Sequence, residues 1–330
     1  MMDSKQKQKR SPRIWVLVDN RIGNANQAID LANKLGEIFA IKHIEYNHFA
    51  RLPSALLSLF PIHVKKSILT ALKKEDIPEI IISSGRRTAA LAVHLKKISD
   101  RHVKIIQIMR PSQDPEEFEL IILPQHDSFN YTLPNVTRII GALTDICPKI
   151  TKESASFHQC YPDLKKFIAV VIGGSTKGYT LTMDNAILLS NTLTAISDNH
   201  SLPLFISFSR RTPQKIRNYF KDKFTWPNII YDPQSGGMNP YPAILGSAEY
   251  IITTTDSISM CSEAASTGKP VYVFCPANFK LRKHNFFIQQ LVDLGLVKRL
   301  ETTTDYLEKY QYAPLSEITK VAGIIKDKVL

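Results

Sequence analysis

A chain of 330 residues, 44% of them hydrophobic and 22% charged, is long enough for two domains of ordinary size, each with its own core. No stretch approaches the roughly 18–20 apolar residues that span a bilayer, and the first thirteen residues have no apolar segment, which excludes an integral membrane helix and an ordinary secretory signal. The net charge of +12 calls for an anionic partner, but the basic residues are scattered and carry no helix-turn-helix, RRM or zinc signature, so nucleic acid is not expected.

Taken in order, residues 1–13, MMDSKQKQKRSPR, read as a disordered basic tail. Ile14–Val18 is a strand and Asn24–Leu35 a helix, with Ala28, Leu31, Ala32 and Leu35 on one face and Gly36 as terminator. Leu52–Pro61 and the following Ile62-His63-Val64-Lys65-Lys66 form an apolar patch with a basic edge. The patch 52–66 suits an anionic leaflet surface, with Lys65, Lys66, Lys73 and Lys74 on lipid phosphates; a buried helix with a charged outer face is the plain alternative. Ile80–Ser83, Val103–Met109 and Leu120–Leu123 are short apolar runs typical of parallel sheets, and a helix over Thr88–Lys97 follows the first of them. Pro162 begins a crossing. Phe167–Ile172 then opens a second series: helix 182–197, strand Leu204–Phe208, helix 213–222, strand Asn228–Tyr231, helix 240–247. The repeated order predicts an α/β chain of two doubly wound, Rossmann-like domains, 14–163 and 164–330, facing a cleft at the carboxyl ends of their strands.

The polar chemistry falls at those strand ends. Val18 runs into Asp19-Asn20-Arg21-Ile22-Gly23-Asn24, with Gln27 one turn on, and Ile82 runs into Ser83-Ser84-Gly85-Arg86-Arg87. Ile172 runs into Gly173-Gly174-Ser175-Thr176-Lys177-Gly178, and Phe208 into Ser209-Arg210-Arg211-Thr212. Glycines let main chain approach a ligand closely, while hydroxyls and arginines suit phosphate. None of these loops is a Walker A or a GxGxxG.

The most informative segment is TTTDSISMCSEAASTGKPVYVF, Thr253–Phe274. A buried strand ending at Ile252 turns through Asp256 and Ser257 into a helix over 257–267, stops at Gly268 and re-enters a strand at 270–274. Such a turn aims free N–H groups and the helix dipole at one point, which suits a diphosphate. Glu263 stands about two turns on from Asp256, on the face of Ser259 and Met260, where a carboxylate could take ribose hydroxyls. A capped helix with an exposed Glu is the plain alternative. Cys147, Cys160, Cys261 and Cys275 are far apart, with no CxxC, so reduced thiols in a cytosol-like compartment are expected.

The set DNRIGNANQAIDLANKLG (Asp19–Gly36), SSGRRTA (Ser83–Ala89), GGSTKGY (Gly173–Tyr179), SRRTP (Ser209–Pro213) and TTDSISMCSEAASTGKPVYVF resembles the mitochondrial fission factor (elongated mitochondria) family of plants and bacteria. The resemblance implies a two-domain GT-B glycosyltransferase fold. The Gly-Gly-Ser loop and the Glu263 helix are also similar to the lipid-linked N-acetylglucosaminyltransferase of peptidoglycan synthesis, where the equivalent acid holds a nucleotide ribose. Unlike that enzyme, this chain has Asp19 and Asn20, not histidine, at its first loop. In similar proteins the last segment crosses back to the N-terminal half, a course that the pattern of Leu307–Leu330 does not itself specify.

Together these imply a metal-independent glycosyltransferase, with a nucleoside-diphosphate sugar as substrate, no cofactor and no metal. The donor would lie on Gly173, Gly174, Ser175, Arg211, Asp256, Ser257, Ser259, Met260 and Glu263, with Arg210 neutralising the departing diphosphate. The acceptor side would be Asn20, Gly23, Asn24, Gln27, Gly85 and Arg86, with Asp19 as general base and His126 in reserve. A cytoplasmic protein on the inner face of a membrane is the expected location. A sugar-nucleotide epimerase and a non-catalytic membrane adaptor are the competing expectations; nucleotide, sugar, acceptor and oligomeric state are not specified.

Overall fold

The computed structural model describes residues 12–51, 61–127 and 133–330. The chain divides into two units: unit 1 is the chain up to Ile139 together with Glu317–Leu330, and unit 2 is Ile140–Ser316.

Unit 1 begins with β1 (Ile14–Val18), α1 (Ile22–Leu35), β2 (Phe39–His43) and α2 (Lys66–Lys73). It continues with β3 (Ile80–Ser84), α3 (Arg86–Ile98), β4 (Lys104–Ile108), β5 (Leu120–Pro124) and β6 (Val136–Ile139). The strands form one parallel sheet in the order β2-β1-β3-β4-β5-β6. Its inner strands are buried end to end, as expected where helices cover both faces. Alternation along each strand sends Trp15, Leu17, Ile81, Ile105, Ile121 and Leu123 to the face packed by Ala89, Ala92 and Leu95 of α3. The opposite face, with Ile14, Val16, Ile80 and Ile82, is covered by α1.

Unit 2 starts with α4 (Ile146–Cys160), β7 (Ile168–Ile172), α5 (Met183–His200), β8 (Leu204–Phe208), α6 (Gln214–Lys223) and β9 (Ile229–Tyr231). Next come α7 (Tyr241–Ser247), β10 (Tyr250–Thr254), α8 (Ile258–Ala265), β11 (Val271–Phe274), α9 (Arg282–Asp293) and β12 (Lys298–Leu300). Its parallel sheet runs β12-β11-β10-β7-β8-β9. One face packs on α4, α7, α8 and α9 through Phe157, Ile244, Cys261 and Phe287, and the other on α5 and α6 through Leu189, Leu193 and Phe220. The last helix, α10 (Glu317–Lys328), returns to unit 1 and packs on α1, burying Ile318, Val321, Ala322 and Ile325.

The expected fold class holds: two doubly wound parallel sheets of the GT-B type. The boundary read at Pro162 is displaced. The chain passes from one unit to the next at Ile139–Ile140, because α4 belongs to unit 2, where its Phe157 is fully buried against Phe167 and Phe205. The helix read over 257–267, α8, starts later and ends sooner, with Ser257 as its N-cap and Ser266 closing it. Of the apolar patch, residues 52–60 lie outside the described residues, as do 1–11 of the tail. His63 and Val64 are buried and so are not available to a lipid surface, while Lys65 is paired with Glu45 at 2.6 Å. Among the described residues no helix is long and apolar enough to cross a membrane.

The placement of α4 is testable. Phe157→Ala leaves a cavity at the centre of unit 2 and should cost about 3–5 kcal/mol in urea unfolding; a loss under 1 kcal/mol would return α4 to the surface.

Candidate functional site

In a doubly wound sheet the strand order reverses at one point, and ligands bind beyond the carboxyl ends of the two strands that flank it. In unit 2 those strands are β7 and β10. Their ends carry Gly173-Gly174 and Thr255-Asp256-Ser257.

Asp256 organises this region. It is 2% exposed, and its carboxylate accepts from the Gly174 N–H at 2.9 Å, from Thr254 Oγ1 at 2.7 Å and from Arg211 Nη2 at 3.1 Å. Thr254 Oγ1 in turn accepts from the Gly173 N–H at 2.8 Å, and Thr212 Oγ1 donates to the Gly173 carbonyl. The ends of β7, β8 and β10 are thus tied into one knot. Both glycines are required by it: a Cβ on Gly173 would stand 2.1 Å from Asp256 Oδ1, and one on Gly174 2.1 Å from the Arg211 carbonyl oxygen. The sequence reading gave these glycines to a ligand and Asp256 to donor binding. The geometry corrects both, because the close approach is between parts of the protein and the buried carboxylate is spent within it.

The remaining donor-side residues separate by role. Arg211 is ion-paired with Asp256, and both it and the neighbouring Arg210 are exposed. Ser257 caps α8 by accepting from the Met260 N–H at 3.4 Å, and Ser175 Oγ accepts from the Leu181 N–H at 3.2 Å, so both hydroxyls hold loops in place. Met260 is half-buried against the core of unit 2, and Ser259, in the first turn of α8, is half-buried. Glu263 is half-buried on the same helix, and its Oε2 accepts from the Tyr241 hydroxyl of α7 at 2.5 Å. Burial, then the Glu263 charge, raises the Tyr241 pKa far above its ordinary value, so the phenol stays a donor that fixes the carboxylate.

His284 of α9 was not visible in the sequence. It is half-buried against Phe279, and its ring is hydrogen-bonded to the Asp256 main chain. Burial is the largest cause holding its pKa below the usual value; the Asp256 charge and the main-chain bond oppose it, and Arg211 adds to it. Its Nδ1 is buried without a partner among the described residues, as are Thr176 Oγ1 in the loop after β7 and Thr255 Oγ1 after β10. Orphaned buried polar atoms are few in folded proteins, and three of them here lie on segments that converge at one strand crossing.

In unit 1 the acceptor-side residues stand at the ends of β1, β3 and β5. Asp19 Oδ1 accepts from the Arg21 N–H at 2.9 Å and Oδ2 from the Tyr46 hydroxyl at 3.2 Å. Both oxygens are engaged in shaping the entry to α1. Gln27 is 4% exposed and its Nε2 donates to the Gly23 carbonyl at 3.1 Å, so it is turned onto its own helix and not offered to an acceptor. Asn20, Gly23 and Arg86 are exposed, Asn24 and His126 are half-buried, and Gly85 is buried at a positive φ of 84°.

A sequence model of the family described as mitochondrial fission ELM1 matches residues 22–329. An uncharacterized protein of Rickettsia prowazekii (strain Madrid E) is 41% identical over 95% of this chain and 97% of its own length. The mitochondrial fission protein ELM1 of Arabidopsis thaliana is 28% identical over 77% of this chain, which spans 64% of the plant protein. In fold the chain is similar to UDP-GlcNAc 2-epimerase from Methanocaldococcus jannaschii (TM-score 0.61, 12% identity, 95% of this chain and 99% of that one). It is also similar to the glycotransferase of kitacinnamycin (TM-score 0.56, 14% identity, 97% and 100%).

The pH response of this site follows from its histidine. A ring whose folded pKa lies below the unfolded value of about 6.5 binds fewer protons folded than unfolded in that window, so its contribution to stability is complete above the unfolded pKa and lost as pH falls through the lowered one. Melting temperatures should therefore fall as pH drops below about 6.5, and those of His284→Gln should fall less; an identical profile in the variant would refute the assignment.

Proposed function

This chain belongs to the mitochondrial fission ELM1 family, and we propose that its unit 2 binds a nucleoside-diphosphate sugar whose sugar is transferred to an acceptor hydroxyl. The observation that carries the reading is the group of polar atoms without a partner among the described residues, Thr176 Oγ1, Thr255 Oγ1 and His284 Nδ1, on the segments beside the Asp256 knot and the start of α8. A diphosphate there would take N–H groups from the first turn of α8 and the Ser259 hydroxyl, aided by the helix dipole. Glu263, held by Tyr241, would receive the ribose hydroxyls.

In transfer, the acceptor oxygen forms a bond to the anomeric carbon while the bond from that carbon to the β-phosphate oxygen breaks. The electron pair leaves with the nucleoside diphosphate, and the acceptor proton passes to a base. Arg210, exposed beside the ion-paired Arg211, is the proposed cation for the negative charge that builds on the leaving group. Asp19, held by the Arg21 N–H and the Tyr46 hydroxyl, is the proposed base. A second reading, epimerisation of the same class of nucleotide sugar, draws on the fold likeness to a UDP-GlcNAc 2-epimerase. The two differ in product: an epimerase changes the nucleotide sugar with no acceptor present, a transferase does not.

Calorimetry with UDP and GDP tests the donor site. One of them should bind, and Glu263→Gln should weaken it by about 1.5–3 kcal/mol, the range for hydrogen bonds to a charged group; no binding of either to the parent protein ends the reading. Arg210→Gln should lower turnover at least about tenfold more than donor affinity, as for a contact made in the transition state. Equal losses in both would make Arg210 an ordinary binding residue.

A further inference from the structure

We propose that unit 1 holds an anion site of its own, built at its switch point to receive a phosphate or diphosphate group of a second ligand. Every residue in it belongs to unit 1, so it does not need the nucleotide reading of unit 2 to hold.

The order β2-β1-β3-β4-β5-β6 changes direction between β1 and β3, where open parallel sheets receive ligands beyond their strand ends. Two helices start at that point. α1 opens after Arg21 and α3 after Gly85, and neither start is capped by a side chain. The first turn of a helix presents N–H groups that no carbonyl of the same helix can take, and the dipole there favours negative charge. The two starts are close neighbours: a Cβ on Gly85 would stand 2.7 Å from Asn24 Nδ2, in the first turn of α1.

Ser84 supplies an independent sign. It closes β3, is 3% exposed, and its Oγ has no hydrogen-bond partner among the described residues. The adjacent Ser83, facing the other way, is satisfied by Gln107 Oε1 at 2.5 Å. Strand alternation puts Ser84 with Ile80 and Ile82 on the face that α1 covers, at the carboxyl end of the strand and so at the level of the first turn of α1. A buried hydroxyl left unpaired is costly and uncommon. A ligand oxygen seated between the two helix starts would accept its hydrogen bond.

The charge agrees. Arg21 and Arg86 are exposed at the two starts, and Arg87 follows, drawn to the Ala50 carbonyl at 2.7 Å and over the Tyr46 ring. The carboxylate that follows β1, Asp19, is turned onto the Arg21 N–H and the Tyr46 hydroxyl. Donors that reach in from two helices and a strand end suit the tetrahedral oxygens of a phosphate, which serve several directions at once.

Calorimetric titration of the full chain with inorganic pyrophosphate, and separately with UDP, tests the site. In Arg21→Gln/Arg86→Gln the pyrophosphate affinity should fall by roughly tenfold or more, the effect of losing charge-assisted hydrogen bonds. Ser84→Ala, which keeps the packing, should weaken it in the same direction. UDP binding should be unchanged in both, and pyrophosphate should still bind unit 1 in a unit 2 variant, Arg210→Gln/Ser259→Ala. Unaltered pyrophosphate affinity in both unit 1 variants, or loss only in the unit 2 variant, overturns the proposal. If UDP never binds while pyrophosphate stays sensitive to the unit 1 variants, the nucleotide reading falls and this site stands. Flotation with phosphatidylcholine vesicles carrying phosphatidic acid separates the sources. Vesicle binding lost in the double variant assigns the phosphate to a lipid, and pyrophosphate binding without vesicle binding assigns it to a soluble ligand.

Discussion

The buried carboxylate of Asp256 is the constraint on which the candidate site depends. A charge removed from water must be compensated by several donors at once, and here they come from Gly174, Thr254 and Arg211. Because those donors lie at the ends of three different strands, satisfying one carboxylate fixes the mutual placement of three loops. The two glycines admit the contact, and the Asp256 main chain in turn anchors the His284 ring. What remains unsatisfied, the hydroxyls of Thr176 and Thr255 and one imidazole nitrogen, is presented on a frame that has little freedom to move.

The two units repeat one solution. Each sheet reverses its order next to its first strand, between β1 and β3 and between β7 and β10, and each gathers its polar loops at that reversal. They differ in how the helix starts are closed. In unit 2 the serine at the head of α8 caps its own helix and α5 carries a reciprocal box between Thr182 and Asn185. In unit 1 the helices at the reversal lack such side chains and carry arginine. A capping side chain takes one or two of these backbone groups and leaves the others of the first turn to a ligand or to water.

Much of the architecture was legible because buried parallel strands are continuous apolar runs with polar ends. IWVLV, IAVVI and LFISF can hardly be anything else. Three of the four edge strands were not: FAIKH, VTRI and KRL are half-exposed and carry charges, so their pattern resembles that of a loop. Helix α4 escaped for a related reason, since only Ile146 and Phe157 of its fifteen residues are buried. For the site, the loops were found but the roles were not. An aspartate and an arginine that suit a ligand suit one another equally well, and only the fold tells that Asp256 and Arg211 are already engaged. His284 gave no signal at all, standing in a run of polar residues on a helix without a motif.

The return of α10 to unit 1 bears on how the protein is made. The helix that covers α1 is separated from it by the whole of unit 2, so a ribosome releases unit 2 intact before the first sheet can acquire that cover. Until then the groove awaiting Ile318, Val321 and Ile325 is an open apolar strip on a nascent chain, the kind of surface that holding chaperones bind. The amino-terminal unit is therefore the first to be synthesised and the last to mature.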